Sequence, residues 1–111
     1  MSVIDSPLEM EVEELRQRLA SDDSLVVLDV REPWELEIVR LSGTLDIPMN
    51  HLIERIKEVP QDRPVAVLCR SGGRSMKVTQ YLRQQGFSNV INVAGGILAW
   101  ADRIDNTLAK Y

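Results

Sequence analysis

The chain of 111 residues has little of what metal-binding, nucleic-acid-binding or membrane-spanning proteins require. It has one cysteine and one histidine, too few for a zinc cluster of the usual kind, and one cysteine cannot form an internal disulfide. Its formal net charge is −4, whereas nucleic-acid-binding faces are basic. No run approaches the roughly 18 apolar residues of a membrane helix. We therefore expect no bound metal, no nucleic-acid partner and no membrane partner.

The start of the chain, "MSVIDSPLEMEVEEL", is acidic and has no continuous apolar segment. A secretory signal peptide would need a basic start followed by such a segment. The lack of a possible disulfide is typical of proteins in a reducing compartment. We therefore expect a cytoplasmic location.

Three short apolar runs predict buried strands. They are rich in valine, isoleucine and leucine, as strands are when both faces of a parallel sheet are covered. The runs are "SLVVLD" (24–29), "PVAVLC" (64–69) and "NVINV" (89–93). A further short strand is predicted in "TLDIP", and another around Leu8 to Met10, although Ser6-Pro7-Leu8-Glu9 also resembles a helix capping box.

Helical spacing of apolar residues fills the intervals between these runs. The predicted helices are "VEELRQRL" from about Val12, "PWELEIV" opened by Pro33, "NHLIERIKEV" with Leu52, Ile53, Ile56 and Val59 on one face, "SMKVTQYLRQQG", "GGILAWADRI" and a tail helix in "DNTLAKY". Alternating strands and helices imply an α/β fold with an open, mostly parallel sheet and helices on both faces. We expect one domain over residues 1–111, with a core at about 8–100 and a helical tail at about 101–111.

Polar and glycine residues follow three of the predicted strands. Asp29 ends the first, Cys69 ends the second, and Gly95 and Gly96 come soon after the third. Ligands of open α/β sheets bind at the carboxyl ends of the strands. If the strands are parallel, these residues share one rim, where we expect the site.

The stretch "CRSGGRS", from Cys69 to Ser75, carries the chemistry predicted for this rim. Gly72 and Gly73 permit a tight turn, and a helix that begins there points its N–H groups at one spot. Together with Arg70 and Arg74, this placement favours a thiolate and an anionic substrate. The alternative is a small buried cysteine without a chemical role. The two glycines and two arginines favour a nucleophile, since packing alone does not require them.

This loop resembles the active-site loop of single-domain rhodaneses, a family of sulfurtransferases. The resemblance extends through "LDVREPWE", "SGTLDIP" and "LRQQGFSNVINVAGGILAW", and covers about Leu8 to Trp100. The family usually has glycine–histidine–isoleucine where this chain has Val39, Arg40 and Leu41. Arg40 either adds positive charge near the site or is merely solvated.

The resemblance implies a double displacement. The Cys69 thiolate takes a sulfane sulfur from a small anionic donor such as thiosulfate and becomes a persulfide. Backbone N–H groups of Arg70, Ser71, Gly72, Gly73 and Arg74 would cradle the added sulfur, and Ser71 and Ser75 either donate to it or cap the helix. An acceptor then removes the sulfur; it is cyanide or a thiol such as glutathione or a thioredoxin-like protein. No metal or organic cofactor is required.

The roles of three charged residues remain open from the sequence. Arg74 either binds the donor anion or pairs with an acidic residue such as Asp29 or Glu32. A bare carboxylate beside Cys69 would oppose thiolate formation, so we expect Asp29 to be structural and bonded to the loop or to an arginine. Arg31 is either the partner of Asp29 or a substrate contact.

Two other functions compete with sulfur transfer on small substrates. A cysteine phosphatase or similar arsenate reductase places five residues between its cysteine and arginine, whereas four separate Cys69 from Arg74. The shorter loop suits one sulfur atom better than a phosphate. The second alternative is a persulfide carrier, or a sensing or binding module, with little turnover on small substrates.

Overall fold

The computed structural model of the chain describes residues 7–111. The strands are β1 (Glu9–Met10), β2 (Val26–Asp29), β3 (Leu45–Asp46), β4 (Val65–Leu68) and β5 (Val90–Val93). The α-helices are α1 (Val12–Ser21), α2 (Pro33–Ile38), α3 (Gly73–Gln84) and α4 (Gly96–Arg103). Two 3-10 turns lie at Met49–His51 and Ile56–Glu58. The predicted strand at Leu8 to Met10 is present in part, while Ser6 of the alternative capping box lies outside the described residues.

The five strands form one sheet in the order β1-β5-β4-β2-β3, and every pair is parallel. Strand β4 is central: Val67 is in register with Leu28 of β2 on one side and with Asn92 of β5 on the other. The predicted α/β fold with a parallel sheet is confirmed. Because the strands are parallel, β2, β4 and β5 all end at the same edge of the sheet.

Alternate strand residues face two separate cores, as the two-residue period of a strand requires. On one face, α3 and the 3-10 segment cover strand residues such as Leu28 and Val67, together with Cys69 just after β4. On the other, α1 and α4 cover strand residues such as Val27 and Leu68. Helices therefore lie on both faces of the sheet, and the cysteine points toward α3.

The predicted helix in "NHLIERIKEV" is wrong. The segment forms two 3-10 turns, which bury Leu52 and Val59 but leave Ile53 70% exposed. Leu52 follows Met49 by three residues, and Val59 follows Ile56 by three. A 3-10 turn has three residues per turn and satisfies this spacing as well as an α-helix does.

The predicted tail helix is also absent. Helix α4 ends at Arg103, residues 106–108 form a turn, and residues 109–111 have no regular secondary structure. The carboxylate of Asp105 accepts hydrogen bonds from the N–H and hydroxyl of Thr107, at 3.1 and 2.5 Å. Such local side-chain bonds compete with helix formation. The turns carry Tyr111 to the carboxyl edge of the sheet, where it contacts Arg31.

Within residues 7–111, no helix is long and apolar enough to cross a membrane.

Candidate active site

The sulfur of Cys69 lies where β4 ends and the turn into α3 begins. Three donors point at Sγ: the N–H of Gly72 at 3.1 Å, the hydroxyl of Ser75 at 3.2 Å and the N–H of Ser75 at 3.4 Å. The turn requires Gly72 because its φ of 102° lies in the left-handed region. Donors converging on one sulfur stabilise negative charge there. Of the N–H groups expected to cradle an added sulfur, that of Gly72 contacts the resting Sγ, and Ser75 supplies the other two donors.

The cysteine side chain is almost completely enclosed. Cys69 is 1% exposed and Ser75 is fully buried, whereas Ser71 and Gly73 lie exposed on the outside of the loop. A buried thiol is out of reach of bulky reagents, so the loop admits a reactant with a slender terminal atom. Of the two predicted serines, Ser75 is the one that donates to the sulfur.

The first turn of α4 holds the backbone of the cysteine loop in place. The N–H groups of Ile97 and Leu98 donate to the carbonyl oxygens of Cys69 and Arg70, at 2.9 and 3.1 Å. Gly96 makes this approach possible: a Cβ at this position would lie 2.5 Å from both carbonyl oxygens. Its φ of 61° also favours glycine. Gly96, which the sequence placed at the rim together with Gly95, thus allows α4 to hold the backbone of the cysteine loop.

Asp29 and Arg31 form a fully buried ion pair beside the loop. Both side chains are 0% exposed, and Arg31 donates to the two carboxylate oxygens of Asp29 at 3.0 and 2.9 Å. Burial lowers the pKa of Arg31, but hydrogen bonds to Asp29 and Tyr111 outweigh this effect, and the net pKa is raised. Arg31 also donates to the carbonyl of Val39 at 2.9 Å. Of the two roles left open for Arg31, the structure gives that of partner to Asp29.

Arg74 pairs with Glu35, which is neither of the acidic partners named from the sequence. Its guanidinium makes two parallel hydrogen bonds to the Glu35 carboxylate, at 2.7 and 2.8 Å. Glu35 is 2% exposed and also accepts from the N–H of Glu32 and the hydroxyl of Tyr111. The Arg74 hydrogen bonds outweigh burial and lower the pKa of Glu35 to about 2. Glu35 thus anchors Arg74 to α2.

Arg70 turns toward the end of the tail. Its Nε donates to the main-chain oxygen of Tyr111 at 2.7 Å, and a terminal nitrogen donates to the same oxygen. The guanidinium carbon lies 5.1 Å from the centre of the Tyr111 ring. Trp34 meets that ring edge-on, with centroids 6.0 Å apart. The tail therefore contributes a side chain to the rim of the site.

Two residues of this arrangement were missed from the sequence. Glu35 had a signal, because Glu32 and Glu35 have the spacing of a capping box at the start of α2. Tyr111 had none, since its position depends on the path of the irregular tail. Arg40, whose role was open, pairs with Asp46 at 2.6 Å and is about half exposed.

No group of three or more His, Cys, Asp or Glu side chains that could hold a metal ion occurs in the described part of the chain. The chemistry available at the rim is that of one thiol, converging N–H and O–H donors, and arginines.

Comparison with known proteins agrees with this geometry. The rhodanese-like domain family matches residues 11–103. A sulfurtransferase from Allochromatium vinosum is 42% identical over 93 residues, which cover 84% of this chain and 87% of that protein. A putative sulfur carrier protein from Bacillus subtilis is 34% identical over 87% of this chain, which spans about half (52%) of its length.

Solved structures show the same fold. A rhodanese-related protein from Thermoplasma volcanium superposes with a TM-score of 0.80 at 32% identity, covering 88% of this chain and 94% of that one. The sulfurtransferase relatives support sulfur transfer as the general activity. The extent of the match and the arrangement around Cys69 lead to one conclusion: this chain belongs to the rhodanese family.

Proposed function

We propose that this protein transfers sulfane sulfur through a persulfide on Cys69. The observation that carries the proposal is the convergence of the Gly72 N–H, the Ser75 N–H and the Ser75 hydroxyl on one sulfur atom. In this arrangement the donors stabilise the attacking thiolate, and preorganised donors cost no reorganisation during reaction. The same donors then stabilise the negative charge that the persulfide carries on its outer sulfur.

The first half-reaction uses a donor such as thiosulfate. The Cys69 thiolate attacks the terminal sulfur, a sulfur–sulfur bond forms, and the donor's own sulfur–sulfur bond breaks. Sulfite leaves with the electron pair of that bond. In the second half-reaction cyanide, or a thiolate such as that of glutathione or a thioredoxin-like protein, attacks the outer sulfur. Thiocyanate or the acceptor persulfide leaves, and the Cys69 thiolate is restored.

The enclosure of the site supports a small reacting atom. Because Cys69 is 1% exposed, the terminal sulfur of a donor reaches Sγ more readily than a tetrahedral phosphate does. The arginine that a phosphatase loop requires is also missing at its position, which is occupied by Ser75. The hydroxyl of Ser75 donates to Sγ, whereas the arginine of a phosphatase would bind the phosphate oxygens.

A persulfide carrier is the second candidate, and it shares the first half-reaction. The similarity to a putative sulfur carrier protein favours it. A carrier forms the Cys69 persulfide but turns over slowly with cyanide or glutathione, and faster with the thiol of a protein partner. Either role requires a reduced cysteine, which supports a cytoplasmic location.

The test compares wild type with Cys69→Ser in the reaction of thiosulfate with cyanide, and separately with a chromogenic phosphoester. We expect thiocyanate from wild type, none from the variant, and no phosphoester hydrolysis by either. Circular dichroism of Cys69→Ser should match wild type, since the two side chains differ by one atom. Equal thiocyanate production by both proteins would contradict the assignment of Cys69. Hydrolysis of the phosphoester alone would favour the phosphatase.

A further inference from the structure

Arg70, the residue next to the reactive cysteine, is held by the tail. Two of its nitrogens donate to the main-chain oxygen of Tyr111, and its guanidinium lies over the Tyr111 ring. These contacts join residues 41 positions apart in the chain. The orientation of this cation is therefore set by a segment that is not part of the cysteine loop.

The other two arginines of the rim are neutralised by carboxylates. Arg74 is paired with Glu35, and Arg31 with Asp29. Both pairs involve a buried carboxylate, which offsets the charge of its arginine. Arg70 is thus the cation of the rim whose availability depends on the tail.

Tyr111 is fixed by contacts of its own. Its hydroxyl donates to Glu35 at 2.7 Å and accepts from Arg31 at 3.1 Å. Its ring packs edge-on against Trp34. The preceding residues, Ala109 and Lys110, are exposed. The tyrosine side chain is therefore what anchors this end of the tail to the rim.

We propose that Tyr111 is a positioning residue for Arg70 that sets the charge preference of the site for its sulfur donor. While Tyr111 holds Arg70, the N–H groups of the loop are available to an incoming donor, but the guanidinium of Arg70 is not. The site then discriminates against dianions and prefers singly charged sulfane donors, the class of thiosulfonates and organic persulfides. Loss of the Tyr111 contacts releases Arg70 toward the reacting sulfur and favours thiosulfate. This inference rests on the proposed sulfur transfer through Cys69.

Two small donors isolate the effect of charge. Thiosulfate carries two negative charges and leaves as sulfite, and methanethiosulfonate carries one and leaves as methanesulfinate. In both reactions the Cys69 thiolate forms a bond to the terminal sulfur, the donor's sulfur–sulfur bond breaks, and its electron pair leaves with the oxygen-bearing sulfur. The ratio of kcat/KM for thiosulfate to kcat/KM for methanethiosulfonate, with cyanide as acceptor, therefore reports the response to the extra charge.

The ratio is measured for wild type, Tyr111→Ala and a chain ended after Leu108. Lys110→Ala is the matched control, since Lys110 is exposed and pairs with Asp102 rather than with the rim. We expect the ratio to rise about fivefold in the first two variants, the size of one partly exposed charge-assisted hydrogen bond. The rise should shrink at high salt. The control should keep the wild-type ratio.

A second substitution assigns the rise to Arg70. Arg70→Gln, added to the chain ended after Leu108, should remove the rise in the ratio. Equal losses of kcat/KM for both donors on removing Tyr111 would show a merely structural role and overturn the proposal. An unchanged ratio would overturn it as well. Tyr111→Phe, which keeps the ring and loses only the hydroxyl, provides a folded variant if the others unfold, and should raise the ratio by a smaller factor.

The two proposals fail in different ways. If wild type releases no thiocyanate from either donor, sulfur transfer through Cys69 is contradicted, and the role of Tyr111 with it. If wild type uses both donors but the ratio of the two kcat/KM values does not change when Tyr111 or Arg70 is substituted, only the positioning role is contradicted.

Discussion

Replacement of Glu35 by glutamine should destabilise the protein at neutral pH and much less in acid. Glu35 is 2% exposed and receives two hydrogen bonds from Arg74 and one from the Tyr111 hydroxyl. Glutamine keeps the shape of the side chain but removes its charge. The substitution removes the ion pair with Arg74, and the amide nitrogen of glutamine cannot accept the hydrogen bonds that one carboxylate oxygen of Glu35 receives.

The magnitude follows from the pKa of Glu35, which the Arg74 hydrogen bonds lower from 4.5 to about 2. Each unit of pKa difference between the folded and unfolded states corresponds to roughly 1.4 kcal/mol, so ionised Glu35 contributes about 3 kcal/mol. Because Arg74 is 35% exposed, water screens part of this interaction. We expect Glu35→Gln to lower the free energy of unfolding by about 2 kcal/mol near pH 7.

The sign of the pH dependence is set by the lowered pKa. The stabilisation from Glu35 is fully present above its unfolded-state pKa of 4.5 and is lost as the pH falls toward 2. Wild type should lose stability in this window, whereas Glu35→Gln lacks this loss. The two free energies of unfolding should therefore converge in acid.

Urea unfolding followed by tryptophan fluorescence at neutral and acid pH measures both free energies. Glu37→Gln is the matched control, since Glu37 lies on the same helix, is exposed, and has a side chain that makes no hydrogen bond within the described residues 7–111. It should change stability by less than about 0.5 kcal/mol at either pH. A difference between Glu35→Gln and wild type that stays the same at both pH values would refute the assignment of the stabilisation to the ionised pair.

Two further substitutions test the parts that support the loop. Gly96→Ala should destabilise the protein by about 2 kcal/mol or more and reduce sulfur transfer, because the added methyl lies 2.5 Å from two loop carbonyls at a positive φ. Gly43→Ala, with a positive φ but open space around it, should cost only about 1 kcal/mol in denaturant titrations and retain activity; equal costs would argue against the contact. Arg31→Lys should lower stability by about 3 kcal/mol, since lysine cannot make the forked hydrogen bonds to buried Asp29. The exposed Arg63→Lys should have almost no effect, and a similar loss there would contradict the importance of burial.

The parallel sheet and the placement of Cys69 at its carboxyl edge were predictable because they follow from local patterns. Continuous apolar runs marked β2, β4 and β5, and parallel strands bring their carboxyl ends to one edge. The pair Gly72-Gly73 after Cys69 marked the turn into α3. These features depend on residues that are close in sequence, so the pattern alone contained them.

The segment at 49–59 and the tail were not predictable in the same way. Apolar residues three apart, such as Met49 and Leu52, satisfy a 3-10 turn and an α-helix equally. In the tail, Asp105 forms a local turn with Thr107 in place of a helix. Neither the 3-10 turns nor the turn at Asp105 changes the spacing of the apolar residues, so this spacing could not predict them.

The partners of the arginines depended on contacts between distant segments. Arg74 meets Glu35 across 39 positions and Arg70 meets Tyr111 across 41. The sequence predicted that Arg74 would either bind the donor or pair with an acidic residue, but helix α2 had to be placed before Glu35 could be identified. The long-range arrangement of charge at the rim is thus what the structure adds.

The central claim is that Cys69 accepts one sulfur atom. Intact-mass spectrometry of the protein after incubation with thiosulfate, and again after addition of cyanide, tests it most directly. We expect a gain of one sulfur on wild type, located on Cys69 by peptide mapping, its loss with cyanide, and no gain on Cys69→Ser. A wild-type protein that gains no sulfur from thiosulfate or methanethiosulfonate, or one whose added sulfur persists in Cys69→Ser, would contradict the account.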